Sequence, residues 1–191
     1  MALHSKKGRK NGVTMVFEDE SGYSEKPTVR RTWAPKGKTP VMRSSGSWAT
    51  RTAIGMIACD AKGNHPRFLM RMIRKSAKAA DFLVTLKHLR RHVRGKVYLL
   101  WDGLGGHWAG CVKKHIEANA SWLTVFRFPA YAPELNPVEG VWSASKTKDF
   151  AGFCPKDTAA LEDRINKSKR RIQHNPDLLR GCLKESGLFE C

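Results

Sequence analysis

The run Lys96-Val-Tyr-Leu-Leu-Trp-Asp102 constrains the fold most, because it is apolar on both faces. Such a segment is stable only as an inner strand of a sheet covered on both sides. It also ends in an acid. Upstream, Val13–Asp19 alternates, with Val13, Met15, Phe17 and Asp19 on one face and Thr14, Val16 and Glu18 on the other. That period of two predicts another strand ending in acid. Thr28–Trp33 reads as a weaker strand and Arg51–Cys59 as a third. Asp60-Ala-Lys-Gly63 reads as a hairpin turn into His65–Arg71. Ser76–Val93 reads as a helix, because Ala79, Phe82, Leu83, Leu86, Leu89 and Val93 recur at three- and four-residue spacing. A helix over about 107–119, a strand over Trp122–Phe128, a helix opened by Asn136-Pro137 and a last helix over Thr158–Gln173 complete the order. An antiparallel meander followed by alternating helices and strands predicts an α/β fold: a mixed sheet with helices on both faces.

Charge narrows the function. Lys and Arg total 35 against 17 Asp and Glu, a formal net charge of +18 on 191 residues. A surface this positive attracts polyanions, nucleic acid first. Basic clusters fall at Lys6–Lys10, Lys87–Arg94 and Lys167–Arg171, and none carries the apolar anchor of an interfacial membrane helix. Neither a secretory leader nor an apolar run of roughly 20 residues is visible. Five scattered cysteines read as reduced thiols in a cytoplasmic protein. Cys111 and His115 lie one helical turn apart without a second pair, so no zinc site is expected. The tryptophans Trp33, Trp101, Trp108, Trp122 and Trp142 read as core.

Three acids stand out by position. Asp19 ends the first strand, Asp102 ends the doubly apolar strand, and Glu139 lies in the first turn of a helix after a proline-rich loop. Each has a plain alternative: a solvated strand end between Glu18 and Glu20, an Asp-Gly turn, and a capping box with Asn136. Brought together, three carboxylates repel until a cation neutralises them. Hard oxygen donors of this kind suit Mg²⁺, and a pair of such ions supports phosphodiester cleavage. An acid cluster inside a basic protein is the chemistry of cutting nucleic acid.

Phe17-Glu-Asp-Glu-Ser21, Trp33-Ala-Pro-Lys-Gly37, Leu99-Leu-Trp-Asp-Gly103 with His107, and above all Pro129-Ala-Tyr-Ala-Pro-Glu-Leu-Asn-Pro-Val-Glu139 with Val141-Trp142 resemble the catalytic domain of DDE transposases. The nearest branch is the bacterial insertion-sequence group related to Tc1/mariner elements, and the likeness spans residues 13 to 150. It implies an RNase H-like fold, with Asp19, Asp102 and Glu139 as catalytic and metal-binding acids. Thirty-six residues separate the last two. It further implies two Mg²⁺ or Mn²⁺ ions, hydrolysis at transposon ends, and attack of the freed 3′-hydroxyl on target DNA. In this frame His107 orients a metal ligand, contacts DNA or simply starts its helix. Lys36, Lys38, Lys146 and Lys148 are candidate contacts to DNA phosphates.

Two departures accompany the likeness. Members commonly carry Asn after the second Asp, where this chain has Gly103. Full-length members also carry N-terminal helix-turn-helix domains, whereas the first strand here starts a dozen residues in. The expected organisation is a basic segment over 1–12, the catalytic domain over 13–152 and a helical extension over 153–191. The expected partners are DNA, further copies of the chain assembled on it, and a separately encoded recognition subunit at the bacterial nucleoid. A catalytically silent DNA-binding protein and a general nuclease of the same fold are the competing readings.

Overall fold

A computed structural model describes residues 12–27, 33–41 and 48–189. Five strands form one sheet: β1 (Thr14–Ser24), β2 (Thr50–Cys59), β3 (Arg67–Ile73), β4 (Val97–Trp101) and β5 (Leu123–Arg127). Their spatial order is β3-β2-β1-β4-β5. β2 and β3 run antiparallel to their neighbours, whereas β1, β4 and β5 are parallel. Among the described residues five α-helices accompany them: α1 (Ala79–His92), α2 (Gly110–Ala118), α3 (Pro137–Lys148), α4 (Thr158–Gln173) and α5 (Pro176–Glu185). The mixed α/β sheet with helices on both faces is the one expected.

Alternation along β1 assigns the two faces. Met15, Phe17 and Tyr23 point into a core shared with α3, α4 and α5, which also holds Trp142, Leu161, Ile165, Leu179 and Leu183. Val16 points the other way, into a core with Phe82, Leu86 and Leu89 of α1 and Val112 of α2. β4 feeds both cores, Leu100 to the first and Val97, Leu99 and Trp101 to the second. The segment apolar on both faces is therefore an inner strand buried on both sides.

The structure redraws several boundaries. β1 does not stop at Asp19 but runs to Ser24, with Asp19 opposite Gly55 and Glu20 opposite Ile54 of β2. Its parallel pairing with β4 stops at Phe17↔Leu100. Beyond that point one edge of β1 is open, and this is where its acids sit. α1 starts three residues later than expected, where the Asp81 carboxylate accepts the Lys78 N–H at 3.0 Å. The helix expected over 107–119 is a 3₁₀ turn (Gly105–Trp108) followed by α2. α5 was not foreseen, although Asn175-Pro176 opens it as Asn136-Pro137 opens α3. Of the weak strand expected over Thr28–Trp33, residues 28–32 lie outside the described residues. Trp33 lies outside any strand and is 99% exposed, so it is not core, and Trp108 is 40% exposed.

Buried polar groups tie the late helices to the sheet. Tyr23 Oη and Ser145 Oγ lie 2.9 Å apart, as do Ser145 Oγ and Ser168 Oγ. Ser168 donates to Asp149, which Arg171 grips through two bonds of 2.8 Å. Gly140 allows α3 and α5 to approach, since a Cβ there would lie 2.9 Å from Cys182 Sγ.

Gly55 makes the closest packing in the sheet. A Cβ at this position would lie 2.5 Å from Cη2 and 2.6 Å from Cζ2 of Trp142. The indole lies across the strand because there is no side chain beneath it. Gly55→Ala is expected to destabilise the fold by about 1–3 kcal/mol through overpacking. It should also lift Trp142 off Asp19, seen as a lowered melting temperature and an altered tryptophan emission spectrum.

Candidate active site

The carboxyl end of a parallel sheet is where ligands bind, outside the strand ends. Here β4 ends at Trp101, so Asp102 stands at the rim beside Asp19 on the open edge of β1. The third acid arrives on α3. Asn136 Oδ1 accepts the Val138 N–H at 3.2 Å, capping the helix, and Asn136 Nδ2 donates to the Glu18 carbonyl at 3.0 Å. One side chain thus starts the helix and fastens it to β1. With Val138, Val141 and Trp142 buried, Glu139 is left exposed on the opposite side of the first turn. Asp19, Asp102 and Glu139 all line one cleft of about 390 Å³, whose other wall is the segment 127–133. The loop crosses that wall with Tyr131 in the left-handed region (φ 57°) and fully exposed.

Sequence reasoning missed Glu20. One oxygen from each of Asp19, Glu20 and Asp102 lies within 4.8 Å of the others. Glu20 projects to the opposite face from Asp19, yet both reach the same rim because β4 has already ended. The acidic run Glu18-Asp19-Glu20 was the available signal, and it reads equally well as surface decoration.

Each acid is held differently. Asp19 is almost fully buried, and its Oδ2 accepts the Trp142 indole N–H at 2.9 Å. Burial, and then the charges of Glu139, Glu20 and Glu18, push its carboxyl up to about 8 against the pull of that hydrogen bond. Asp102 Oδ1 accepts the Leu104 N–H at 2.8 Å and lies 3.1 Å from His107 Nδ1. Its carboxyl is held below the usual range, chiefly by His107, against the effect of partial burial.

His107 is the hub beneath the acids. Its ring stacks on Trp101 at 4.1 Å between centroids and meets Phe82 edge-on at 4.1 Å. Nε2 lies 3.4 Å from Glu18 Oε2 and 3.3 Å from Glu20 Oε1. Burial disfavours the imidazolium, but Asp102, Glu18 and Glu20 outweigh it and hold the ring protonated, while burial pushes the Glu18 carboxyl up. The imidazole has no exposed surface, which leaves no room for the expected DNA contact at His107, and its Nδ1 faces Asp102 instead. Lys36, Lys38 and Lys148 are exposed and Lys146 half-buried, and none of the four lines the cleft.

The raised carboxyl of Asp19 has a stability consequence. In the unfolded chain the group ionises near 3.8, whereas in the ion-free fold it holds its proton to about 8. The folded state therefore binds more protons between these values, and this contribution is lost as pH rises from about 4 to 8. Asp19→Asn, which still accepts the Trp142 N–H, is expected to stabilise the ion-free protein by on the order of 1–3 kcal/mol at pH 8. The gain should shrink toward pH 5. Thermal melts in EDTA at the two pH values measure it.

Comparisons with known proteins bear on the family and the fold. The model of the DDE superfamily endonucleases matches residues 14–161. The crystal structure of the Mos1 strand transfer complex is similar over 100% of this chain and 59% of the Mos1 chain, with 17% identity and a TM-score of 0.62. The crystal structure of the catalytic domain of Mos1 mariner transposase is similar over 100% of this chain and 90% of that one, with 15% identity and a TM-score of 0.55. A simian T-cell lymphotropic virus intasome, solved with a phosphatase regulatory subunit, is similar over 86% of this chain and 49% of its own, with 11% identity and a TM-score of 0.52. This chain thus spans about six-tenths of the Mos1 chain in the strand transfer complex. No curated protein matches it in sequence. Its sheet shares the RNase H-like fold of the Mos1 catalytic domain, and its sequence match over residues 14–161 shows that the chain belongs to the DDE superfamily of endonucleases.

Proposed function

We propose that this domain hydrolyses the phosphodiester at the ends of a mobile DNA element and joins the freed 3′-hydroxyl to target DNA. Asp19, Asp102 and Glu139 are the catalytic acids in this reading, with Glu20 beside them. The observation that carries it is that Asp19, Asp102 and Glu139 line one cleft, where oxygens of Asp19, Glu20 and Asp102 lie within 4.8 Å of one another and Glu139 stands outside that closer group. Two further observations favour divalent ions. The donors are all hard carboxylate oxygens, which suit Mg²⁺ or Mn²⁺. The Asp19 carboxyl is pushed up by burial and then by its acidic neighbours, and a bound cation would balance that negative charge. Structures of the Mos1 catalytic domain have been solved with Mg and with Mn.

When bound, a pair of such ions supplies an activated water and stabilises the departing oxygen. The chain's own part is positioning. Trp142 and Gly55 fix Asp19 in the sheet, so its oxygens do not need to be ordered when DNA arrives. Leu104 and His107 occupy Oδ1 of Asp102, leaving Oδ2 for the cleft. Asn136 sets the rotation of α3 and so the direction of Glu139. The proline-rich wall opposite the acids limits how far a DNA strand can shift across them.

The proposal extends to the bacterial insertion-sequence branch related to Tc1/mariner, to pairing of protomers on DNA, and to recognition of the ends by a helix-turn-helix module outside these residues. It also places the protein at the nucleoid. No helix among the described residues is long and apolar enough to cross a membrane.

Supercoiled plasmid incubated with Mg²⁺ or Mn²⁺ tests the reaction. Nicking is expected from the wild-type chain and should vanish in EDTA. Asp19→Asn, Asp102→Asn and Glu139→Gln should each lower it by about a hundredfold or more while DNA binding persists. Binding without nicking in either metal would establish the silent DNA-binding reading. Cleavage without joining of a 3′-hydroxyl oligonucleotide to the plasmid would establish the general nuclease.

A further inference from the structure

Arg127 is the last residue of β5 and is paired with Trp101, next to Asp102. Strand alternation puts it in a row with Leu123 and Val125, which pack into the core beneath α1 and α2. The row leaves the core at Arg127, which is exposed and lines the cleft. The other charged side chains lining that cleft are Asp19, Asp102 and Glu139, so among the described lining residues Arg127 is the one cation.

Its guanidinium is seated by shape rather than by hydrogen bonds. A Cβ on Gly103 would lie 2.0 Å from Arg127 Nη2, 2.5 Å from Cζ and 2.6 Å from Nε. The group therefore lies in the space that any other residue at 103 would fill. On another side Cζ stands 5.8 Å from the centre of the Trp108 ring, a cation–π distance. Asp102 feels its charge, yet no ion pair forms between them. Among the described residues the guanidinium has no hydrogen-bond partner, so its five N–H donors remain available at the cleft wall.

We infer that Arg127 grips a phosphate of the DNA strand lying in the cleft, and that Gly103 is the seat that makes this possible. The inference rests on the proposed reaction for the identity of the strand. A phosphate brought among carboxylates needs compensating positive charge besides any bound ion. A planar guanidinium supplies it through two parallel N–H···O bonds, a geometry that Lys cannot reproduce. The seat also explains how a cation beside three acids stays available. Lying beside Gly103 and 5.8 Å from the centre of the Trp108 ring, it forms no ion pair with these acids.

Binding of a short fluorescent DNA duplex, measured by anisotropy over a salt series with Mn²⁺ in a Glu139→Gln background, tests this. Arg127→Gln should weaken binding about tenfold. It should also lower the slope of log Kd against log salt by about 0.9. Arg127→Lys should restore the slope but only part of the affinity. Gly103→Ala keeps the arginine but puts a methyl group in its seat, and should weaken binding as Arg127→Gln does. The double variant should be no weaker than Arg127→Gln alone. All these variants should melt with the parent protein, because Arg127 is exposed and position 103 has no left-handed backbone. Unchanged affinity and slope in Arg127→Gln would overturn the phosphate contact, and Gly103→Ala binding like the parent would overturn the seat. A wild-type chain that fails to nick plasmid removes the proposed reaction instead, and the salt slope still decides whether Arg127 meets a phosphate.

Discussion

Like charges at the open edge of β1 are the constraint around which this molecule is built. Glu18, Asp19 and Glu20 follow one another in a strand, and Asp102 ends the next strand over. Left alone, such a group would protonate or drive the strands apart. The fold answers with one fixed cation and several neutral donors. The His107 imidazolium sits beneath Glu18, Glu20 and Asp102, fully enclosed by Trp101 and Phe82. The Trp142 indole takes one oxygen of Asp19, and the Leu104 amide one oxygen of Asp102. These contacts hold the acids in place but leave Asp19 uncompensated. A site that gathers negative charge in this way suits the divalent ions that the proposed function calls for.

The support for this arrangement reaches far down the chain. Trp142 keeps its place because α3 is clamped between β1 and the last two helices. Tyr23, Ser145, Ser168, Asp149 and Arg171 form one line of polar contacts from β1 through α3 to α4. Gly140 brings α5 against the helix that carries Glu139. The family match ends at residue 161, yet Ile165, Ile172, Leu179 and Leu183 share the core with Phe17 and Trp142. The C-terminal helices therefore back the wall that positions Asp19 and Glu139.

Much of this was legible because local and tertiary demands agree. β4 could be placed from its double apolar face. α4 could be placed from its stripe of Leu161, Ile165 and Ile172, and its observed ends are those expected. α3 declared itself by Asn136-Pro137, a cap and a first-turn proline. What stayed hidden depended on where a neighbour stops. Glu20 comes within reach of Asp19 and Asp102 only because β4 ends before reaching it, and nothing in the alternation of β1 contains that fact. The burial of His107 depends on Phe82, 25 positions earlier in the chain, closing over it. The open position of Trp33 is equally invisible from composition, since large aromatic residues usually read as core. α5 is a different case: its Asn-Pro signal was present, and a short helix near a chain end was passed over.

The overall charge and the local charge have opposite signs, and the contrast carries mechanistic weight. In the proposed function a net +18 attracts DNA but does not discriminate one phosphate from another. The cleft itself is acidic and would repel the strand that the surface attracts. Binding at the right place therefore has to depend on groups that convert general attraction into a fixed approach. Divalent ions on the carboxylates would do so only once loaded, whereas a guanidinium seated on Gly103 is present beforehand. Arg127 ends β5 of the sheet that carries Asp19, and Asp102 directly follows β4 of the same sheet. The distance between the phosphate grip and the acids is then set by strand spacing in the sheet rather than by a loop. Exposed lysines such as Lys36 and Lys38 would add to the attraction in that proposal but could not impose that spacing.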